Sequence, residues 1–324
     1  MMRKCVIIIL DFICFFWLLC GLAIFGIVGL FLPRPKKEMA YRAREILKWT
    51  SNYVAPGSEK VLDLEIARAL VEKYFSKGPV IDIAFGAGRF EEHALGPIIE
   101  KKGLIDGIDL ESQQESSVEV MKHRPWVRNA WKKSYLVTGL PPGSYNFAFC
   151  NNGLTASDKL QEAFKEIRRI TEDGGIFVFN MTTNNARRNT YLLFIFLNSM
   201  LLRFDKVRYW KEKAKSRLGC YFDSDELQQM LARSGWSVVE TRRYLQGIYM
   251  YWHYLFNFPA YHRFFNYETT GNAPRYYSFM KKAWRSPFEK VALMHLAAAS
   301  KAVNSGSAAK CYIVARKNPD SCVL

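Results

Sequence analysis

Residues 80–110 contain two short apolar segments separated by a turn of small residues and a helix. The first segment, Val80–Ile83, leads into the turn Ala84–Gly88, and the second, Leu104–Leu110, carries Asp109 near its end. The order strand, turn, helix, strand is that of a βαβ unit. Small residues let the backbone approach a ligand closely, and a carboxylate after the second strand accepts hydrogen bonds from ribose hydroxyls. The segment therefore predicts a nucleoside-binding unit.

The charges around this turn disfavour a dinucleotide. A pyrophosphate site uses Gly-x-Gly-x-x-Gly at the start of a helix, so that free amides meet the phosphates. Here Glu91 and Glu92 occupy the first turn of the following helix, and Asp82 adds another negative charge at the end of the first strand. These carboxylates suit the helix dipole but repel phosphate. A cationic sulfonium ligand fits this turn better than NAD.

The small-residue turn resembles motif I of class I S-adenosylmethionine (SAM) methyltransferases, which usually reads Asp-x-Gly-x-Gly-x-Gly. Ala84 stands in place of the first glycine, and a methyl group is small enough for tight packing to survive. The resemblance implies that SAM is the cofactor and that eight residues contact it. These residues are Asp82, Ala84, Gly86, Gly88, Asp109, Leu110, Leu136 and Asn151.

Two of these contacts are implied by the resemblance alone. The family often has an acid after the third strand that bonds adenine, and alignment of Tyr135–Pro141 places Leu136 there. Adenine recognition is then expected to rest on backbone groups. Asn151 and Asn152 follow the fourth strand, at the sheet edge where ligands bind, and either is a candidate to bond the methyl acceptor or the amino-acid part of SAM. Asn-Asn-Gly is equally typical of a plain turn, so both interpretations stay open.

The identity of a general base is unknown from the sequence. Methyl transfer from a sulfonium is an in-line displacement that depends mainly on positioning and desolvation, so a base is needed only if the acceptor must lose a proton. Asn151 and Asn152 are catalytic candidates by position. His253 and His262 are further candidates because they lie in a predicted insertion on the substrate side.

The rest of the chain alternates apolar strands with helices. This alternation predicts an α/β fold: a Rossmann-like, seven-stranded, mostly parallel sheet with helices on both faces. The predicted strands are Tyr145–Asn151, Ile176–Met181, Trp236–Glu240 and Cys311–Ala315, and the predicted helices are Leu160–Ile170 and one that begins at Asp223–Glu226.

Three short motifs resemble one subgroup of these methyltransferases. Asp82–Ala84, Thr171–Gly175 and Met181–Asn185 are similar to the methyltransferase-like proteins encoded in the Williams–Beuren region. The resemblance extends over residues 45–190 and implies no particular acceptor.

The N-terminal segment predicts a transmembrane helix. Phe12–Leu32 contains no charged residue, and at about 1.5 Å per residue such a stretch spans a ~30 Å hydrocarbon layer. A cleaved signal peptide fits less well, because the apolar run exceeds ~7–15 residues and Phe31–Arg34 lacks a small-residue cleavage site. Both flanks are basic, and the more basic C-terminal flank favours a single-pass protein with a cytosolic catalytic domain. For a eukaryotic chain the expected membrane is the endoplasmic reticulum.

Composition limits the domain organisation and the partners. The 324 residues suffice for one large α/β domain after an anchor, and the net charge of +16 suits an anionic membrane face or a polyanion. The seven cysteines form no CxxC pair and no His pair has metal-ligand spacing, so neither a metal site nor a disulfide framework is expected. The predicted domains are an anchor with its basic flank (1–37), a methyltransferase domain (38–317) and a tail (318–324).

Two predicted insertions, 187–217 and 245–309, depart from a minimal methyltransferase. The first combines an apolar run with a basic flank, which indicates either an interfacial helix or a lid over the substrate pocket. The second interleaves aromatic and basic residues, a pattern typical of a membrane interface, of an aromatic cap on the core or, less in keeping with an anchor, of single-stranded nucleic-acid binding. We expect membrane lipids as partners and a lipid or apolar small molecule as acceptor. The alternatives are a protein or peptide acceptor at the membrane, or a SAM-binding regulator or scaffold without activity.

Overall fold

The computed structural model describes residues 54–86, 88, 90–101, 103–110, 117–155, 157–183, 224–244 and 310–319, with scattered positions at 12–45 and 205–212. Several predicted segments lie outside the described residues. They are the insertion 245–309, the helix start at residue 223, nearly all of the insertion 187–217 and nearly all of the anchor. Within the described ranges no helix is long and apolar enough to cross a membrane.

The chain divides into two compact units. One comprises Met1–Asp63, Asn185–Gly219 and Tyr244–Ala309; in it, the Tyr244 hydroxyl donates a hydrogen bond of 2.6 Å to the buried Asp63 carboxylate. The other comprises Leu64–Asn184, Cys220–Arg243 and Lys310–Leu324 and holds the sheet.

Helices and strands alternate along most of the described chain, as the sequence predicts. The helices are α1 (Val54–Tyr74), α2 (Glu91–Ala94), α3 (Gly96–Ile99), α4 (Ser117–Lys122), α5 (Leu160–Ile170) and α6 (Ser224–Arg233). The strands are β1 (Val80–Ile83), β2 (Ile105–Asp109), β3 (Val127–Lys132), β4 (Tyr145–Cys150), β5 (Thr171–Thr182), β6 (Trp236–Tyr244) and β7 (Lys310–Lys317).

The strands form one seven-stranded sheet in the order β3-β2-β1-β4-β5-β7-β6. The pairs among β1, β2, β3, β4 and β5 are parallel, and β7 runs antiparallel to β5. The predicted seven-stranded, mostly parallel α/β sheet is therefore confirmed. The order of the strands reverses between β1 and β4, since β2 and β3 follow on one side of β1 and β4 and β5 on the other. Ligands of open α/β sheets bind at such a point, beyond the carboxyl ends of the strands.

Apolar side chains cover both faces of the sheet. On one face, α5 contributes Phe164 and Ile167 to a core that also includes Phe177 and Phe179 of β5. On the other face, Phe75, just after α1, packs edge-to-face on Phe147 with ring centroids 5.7 Å apart. Burial on both sides explains why β4 and the segment Ile176–Met181 of β5 are nearly continuous apolar runs.

The sequence indicated a third strand before Tyr135 without bounds, and it misplaced the start of β5. β3 lies at the edge of the sheet, and because one side is solvated, exposed polar residues such as Arg128 and Asn129 interrupt its apolar pattern. Helix α5 ends at Ile170 as predicted, but β5 begins at Thr171 and not at Ile176. Asp173–Gly175 therefore lies inside β5, and the register of β5 against β4 shifts there.

Candidate functional site

The turn after β1 has the backbone conformation that its small residues allow. Ala84, Gly86 and Gly88 all have φ between +56° and +67°, a left-handed region that favours glycine. A Cβ added to Gly86 would meet nothing within 4 Å, whereas one on Gly88 would lie 2.0 Å from the Met121 sulfur. Gly86 therefore faces open space, where a ligand can approach the backbone, and Gly88 allows close packing against α4.

Ala84 is accommodated by a glycine that the sequence analysis did not single out. The Ala84 amide donates to the Ile108 carbonyl at 2.8 Å, which fixes the turn against β2. A Cβ added to Gly153 would lie 2.4 Å from the Ala84 Cβ. Gly153 thus leaves room for the methyl group, and the expectation of tight packing at Ala84 has a structural basis.

Asp109 links the end of β2 to the turn. Its Oδ2 accepts a hydrogen bond of 2.6 Å from the Gly86 amide. The side chain is half-buried, and the next residue, Leu110, is 50% exposed. A carboxylate held in this position can also accept hydrogen bonds from the hydroxyls of a ribose lying over Gly86.

Asp82 is a buried acid without a hydrogen-bond partner of good geometry among the described residues. Burial is the largest influence that raises its pKa well above the ordinary value, and the carboxylates of Glu91 and Asp109 raise it further against a weaker effect of the Ile83 amide. Burying a carboxylate without a counter-charge is costly. A cationic group bound at the turn would offset that cost.

These features fit SAM. The open side of Gly86 leaves space for a ligand, Asp109 is placed for ribose, and the negative charge of Asp82 and Glu91 suits a sulfonium and an α-ammonium group. Glu92, which lies on the same helix as Glu91, forms an ion pair of 2.7 Å with Arg124, just after α4. The residues therefore match a cationic nucleoside better than a pyrophosphate.

A second polar group lies at the carboxyl end of β4. Asn152 has φ +59°, and its amide donates to the Oδ1 of Asn180 on β5. The Tyr312 hydroxyl on β7 donates to the Oδ1 of Asn151 at 3.4 Å. Asn180 is fully buried, and its Nδ2 has no hydrogen-bond partner within the described part of the chain. The side-chain amide cannot be flipped, because the Asn152 amide requires an acceptor.

The backbone of the loop that carries Leu136 is hydrogen-bonded within the protein. In the loop Lys133–Leu140, the Leu136 amide donates to the Ser134 Oγ at 3.1 Å. The contact of Leu136 with adenine stays a prediction. The Thr138 amide and hydroxyl both donate to Glu166 on α5. Leu136 itself is partly buried against the core. Glu166 thus anchors the loop that follows β3.

The predicted cofactor residues fall into two groups. Asp82, Ala84, Gly86, Gly88 and Asp109 form the β1 turn and the end of β2, whereas Leu110, Leu136 and Asn151 lie on the loops after β2, β3 and β4. Their contacts with SAM stay a prediction. His253 and His262 lie outside the described residues.

Three supporting residues were missed by the sequence analysis: Gly153, Asn180 and Tyr312. Gly153 belongs to the Asn-Asn-Gly motif, so its close packing could have been suspected. Asn180 was detectable as an amide within an apolar strand, since a buried amide needs partners. Tyr312 carries no such signal, because tyrosine is common in strands.

The chain was compared with known proteins. A family model described as a methyltransferase domain matches residues 55–241. No curated protein sequence matches significantly.

Among solved structures, the chain is similar to a protein from Galdieria sulphuraria provisionally named a sarcosine dimethylglycine methyltransferase, at 13% identity and a TM-score of 0.47, with 79% of this chain and 84% of that chain covered. It is also similar to the geranyl diphosphate C-methyltransferase of Streptomyces coelicolor, at 13% identity and a TM-score of 0.43, with 78% of this chain and 77% of that chain covered. A SAM-dependent methyltransferase from Mesorhizobium loti has 12% identity and a TM-score of 0.44, with 79% of this chain and 98% of that chain covered.

The family match covers more than half of the chain and includes the β1 turn, Asp109 and Asn151. The chain belongs to the methyltransferase domain family and is a SAM-dependent methyltransferase.

Proposed function

We propose that this methyltransferase is anchored in a membrane by its N-terminal segment and methylates a lipid or an apolar small molecule taken from that membrane. Phe12, Phe16, Leu19 and Ile27 carry the proposal: each is helical, and each side chain is exposed. At 100° per residue these positions fall within about 80° of one another on a helix. Such a row of large apolar side chains is unfavourable in water and favourable in lipid.

The charge of the chain supports a membrane location. The net charge of +16 suits an anionic membrane face. The N-terminal segment and both predicted insertions also fall in the same compact unit, Met1–Asp63 with Asn185–Gly219 and Tyr244–Ala309. We propose that this unit faces the membrane, and that the stronger basic flank after the anchor keeps the catalytic domain in the cytosol, at the endoplasmic reticulum of a eukaryotic cell.

The residues of the site have distinct roles in this proposal. SAM supplies an electrophilic methyl group on its sulfonium. Asp109 holds the ribose, and Asp82 stabilises the positive charge of the bound cofactor. Asn151 and Asn152, at the carboxyl end of β4, orient the acceptor, supported by Asn180. The reaction then needs alignment and exclusion of water more than a strong base.

The finer family assignment belongs to the same proposal. Asp82–Ala84, Thr171–Gly175 and Met181–Asn185 support membership of the Williams–Beuren-region methyltransferase-like group. Two other functions remain as alternatives: methylation of a protein or peptide at the membrane, and a regulatory or scaffold role in which SAM binds without reaction.

Membrane extraction tests the anchor. The full chain is expressed and its membranes are washed with alkaline carbonate, which removes peripheral proteins. We expect the chain to stay in the pellet, and a variant with Phe12, Phe16, Leu19 and Ile27 all changed to Ser to be released. In sealed vesicles with the cytosolic face outward, added protease should digest the catalytic domain without detergent. Release of the unmodified chain by carbonate would contradict the anchor, and protection from protease would place the domain in the lumen.

A further inference from the structure

We propose that Tyr312 is a positioning residue of the reaction: its hydroxyl orients the side-chain amide of Asn151, so that the Nδ2 group of Asn151 donates a hydrogen bond to an oxygen atom of the methyl acceptor. The inference rests on the proposed place of Asn151 at the acceptor, and it adds the chemical class of the group that is recognised there. It also assigns a role to β7, which lies beyond residues 55–241 that match the family model.

Tyr312 and Asn180 are cross-strand neighbours beside the end of β4. They are paired positions in the antiparallel ladder of β7 and β5, and both are fully buried. Cys150, the last residue of β4, is paired with Phe179, so Asn151 leaves the sheet beside Asn180. Side chains from two adjacent strands therefore reach the turn that begins with Asn151.

These two side chains hold the turn at different points. Asn180 accepts a hydrogen bond from the backbone amide of Asn152 through its Oδ1. Tyr312 donates through its hydroxyl to the side-chain Oδ1 of Asn151 at 3.4 Å. Asn180 thus fixes the backbone of the turn, whereas Tyr312 acts on the orientation of one side chain. Removal of the Tyr312 hydroxyl alone leaves the backbone contact in place.

The oxygen of the Asn151 amide is occupied by donors from the protein. It accepts from the Tyr312 hydroxyl and, at 3.3 Å, from the Nδ2 group of Asn152. A carbonyl oxygen has two lone pairs, so these two donors fill it. The Nδ2 group of Asn151 donates to no acceptor among the described residues, and the side chain is half-buried. Asn151 therefore presents a donor to a ligand.

The turn packs directly against the residues that form the cofactor site. A Cβ added to Gly153 would lie 2.4 Å from the Ala84 Cβ and 3.4 Å from the Ile83 carbonyl oxygen. This close packing fixes Asn151 relative to a cofactor held at the β1 turn. A carbonyl, hydroxyl or phosphate oxygen of the acceptor is a suitable partner for the Nδ2 donor. Such a contact holds the acceptor in line with the sulfonium methyl group, and alignment is the main requirement of the transfer.

Two phenylalanine variants test the positioning role in membranes that contain the full chain and methyl-labelled SAM. Tyr312→Phe keeps the buried ring and removes the hydroxyl. We expect the transfer rate to fall about three- to tenfold, as loss of one neutral hydrogen bond implies, with the affinity for S-adenosylhomocysteine by calorimetry within about twofold of the parent. Tyr145→Phe is the matched control, because this buried tyrosine donates to Asp106 at the amino end of β4, and its transfer rate should stay within about twofold. An equal fall in both variants, or no fall in Tyr312→Phe, would overturn the inference.

A double variant separates a positioning role from a structural one. Asn151→Ala should lower the transfer rate about tenfold or more, because the donor to the acceptor is lost. In that background Tyr312→Phe should change the rate by less than about twofold, since the hydroxyl acts through Asn151. Additive losses would mean that Tyr312 supports the fold independently of Asn151, which contradicts the proposed role.

Asn151→Asp identifies the group of the acceptor that is recognised. An ionised aspartate has the shape of asparagine but only accepts hydrogen bonds, so the transfer rate should fall at least as far as in Asn151→Ala. Retained transfer would mean that residue 151 accepts from an N–H group of the acceptor, and the inference would be wrong. Label is counted in the lipid extract and the protein pellet together. Label in protein alone therefore contradicts the lipid acceptor and leaves the comparison of variants valid, whereas a parent that binds S-adenosylhomocysteine and transfers nothing contradicts both proposals.

Discussion

At the residue scale, the site concentrates features that are unfavourable for folding. Ala84 has φ +60°, where a side chain costs about 1–2 kcal/mol relative to ordinary backbone. Asp82 is a buried acid, and the buried Nδ2 of Asn180 has no hydrogen-bond partner among the described residues. Strain and unsatisfied polar groups persist where they serve a ligand. All three residues lie around the proposed cofactor and acceptor positions.

Replacing Asp82 is expected to stabilise the cofactor-free protein and weaken SAM binding. Because its folded pKa is raised above the ordinary 3.8, the folded state binds the proton more tightly, and stability falls as pH rises from about 4 through the folded pKa. Asp82→Asn removes this dependence, so its melting temperature should exceed that of the parent at pH 8 and converge with it near pH 4. SAM affinity should fall at least tenfold, because a charge-assisted interaction is lost.

Thermal melts and calorimetry with Asp158→Asn as the control check this prediction, since Asp158 is exposed. A lower melting temperature for Asp82→Asn at pH 8 would mean that the carboxylate is already satisfied in the free protein.

Asn180 is expected to affect methyl transfer more than cofactor binding. Asn180→Leu leaves the Asn152 amide without its acceptor, which should release the turn that carries Asn151. We expect the transfer rate to fall tenfold or more, as loss of about 1–3 kcal/mol of positioning implies, with SAM affinity within threefold. The matched control is Asn146→Leu, which removes a hydrogen bond to Glu172 at the opposite end of β4. Equal methyl-transfer rates in the two variants would contradict a role of Asn180 in positioning the acceptor.

At the scale of elements, the sequence predicted buried segments well and the solvated ones poorly. β4, β5 and α5 were identified because burial imposes a clear apolar pattern. The bounds of β3 were not predicted, because its outer edge faces water and exposed polar residues interrupt its apolar pattern. The role of Glu166 was also missed, because it depends on α5 lying beside the loop after β3, and sequence spacing does not reveal that proximity.

The Glu166 contact predicts an acid-sensitive loop. Burial raises the pKa of Glu166, but hydrogen bonds from Arg169 and Thr138 outweigh it and lower the pKa to about 2, below the ordinary 4.5. The contact therefore stabilises the fold fully above about pH 4.5, and this contribution is lost as pH falls toward 2. Glu166→Gln should cost about 1–2 kcal/mol at pH 7 and flatten the fall in melting temperature between pH 5 and 2.5.

Glu162→Gln serves as the control, since Glu162 is an exposed residue on the same helix with a 4.0 Å ion pair. If the melting temperature of Glu166→Gln falls between pH 5 and 2.5 as much as that of the parent, the Glu166 carboxylate does not hold the loop.

At the scale of the whole molecule, the sheet and the cofactor class could be predicted because they depend on a contiguous βαβ unit. The acceptor could not, because the residues of the βαβ unit recognise the cofactor and carry no information about the group that receives the methyl. Residues 187–217 and 245–309 have composition that suits lipid, but composition does not identify an acceptor atom. The acceptor therefore has to be identified from the methylated product.

The most direct measurement is the fate of the methyl group from labelled SAM. Membranes containing the full chain are incubated with methyl-labelled SAM and separated into lipid extract and protein pellet, with Asp109→Ala as the inactive control. Loss of the ribose contact should lower cofactor affinity by roughly 10- to 150-fold. We predict label in the lipid extract that depends on Asp109. Label confined to the protein pellet, or no transfer by a chain that binds SAM, would contradict a lipid methyltransferase.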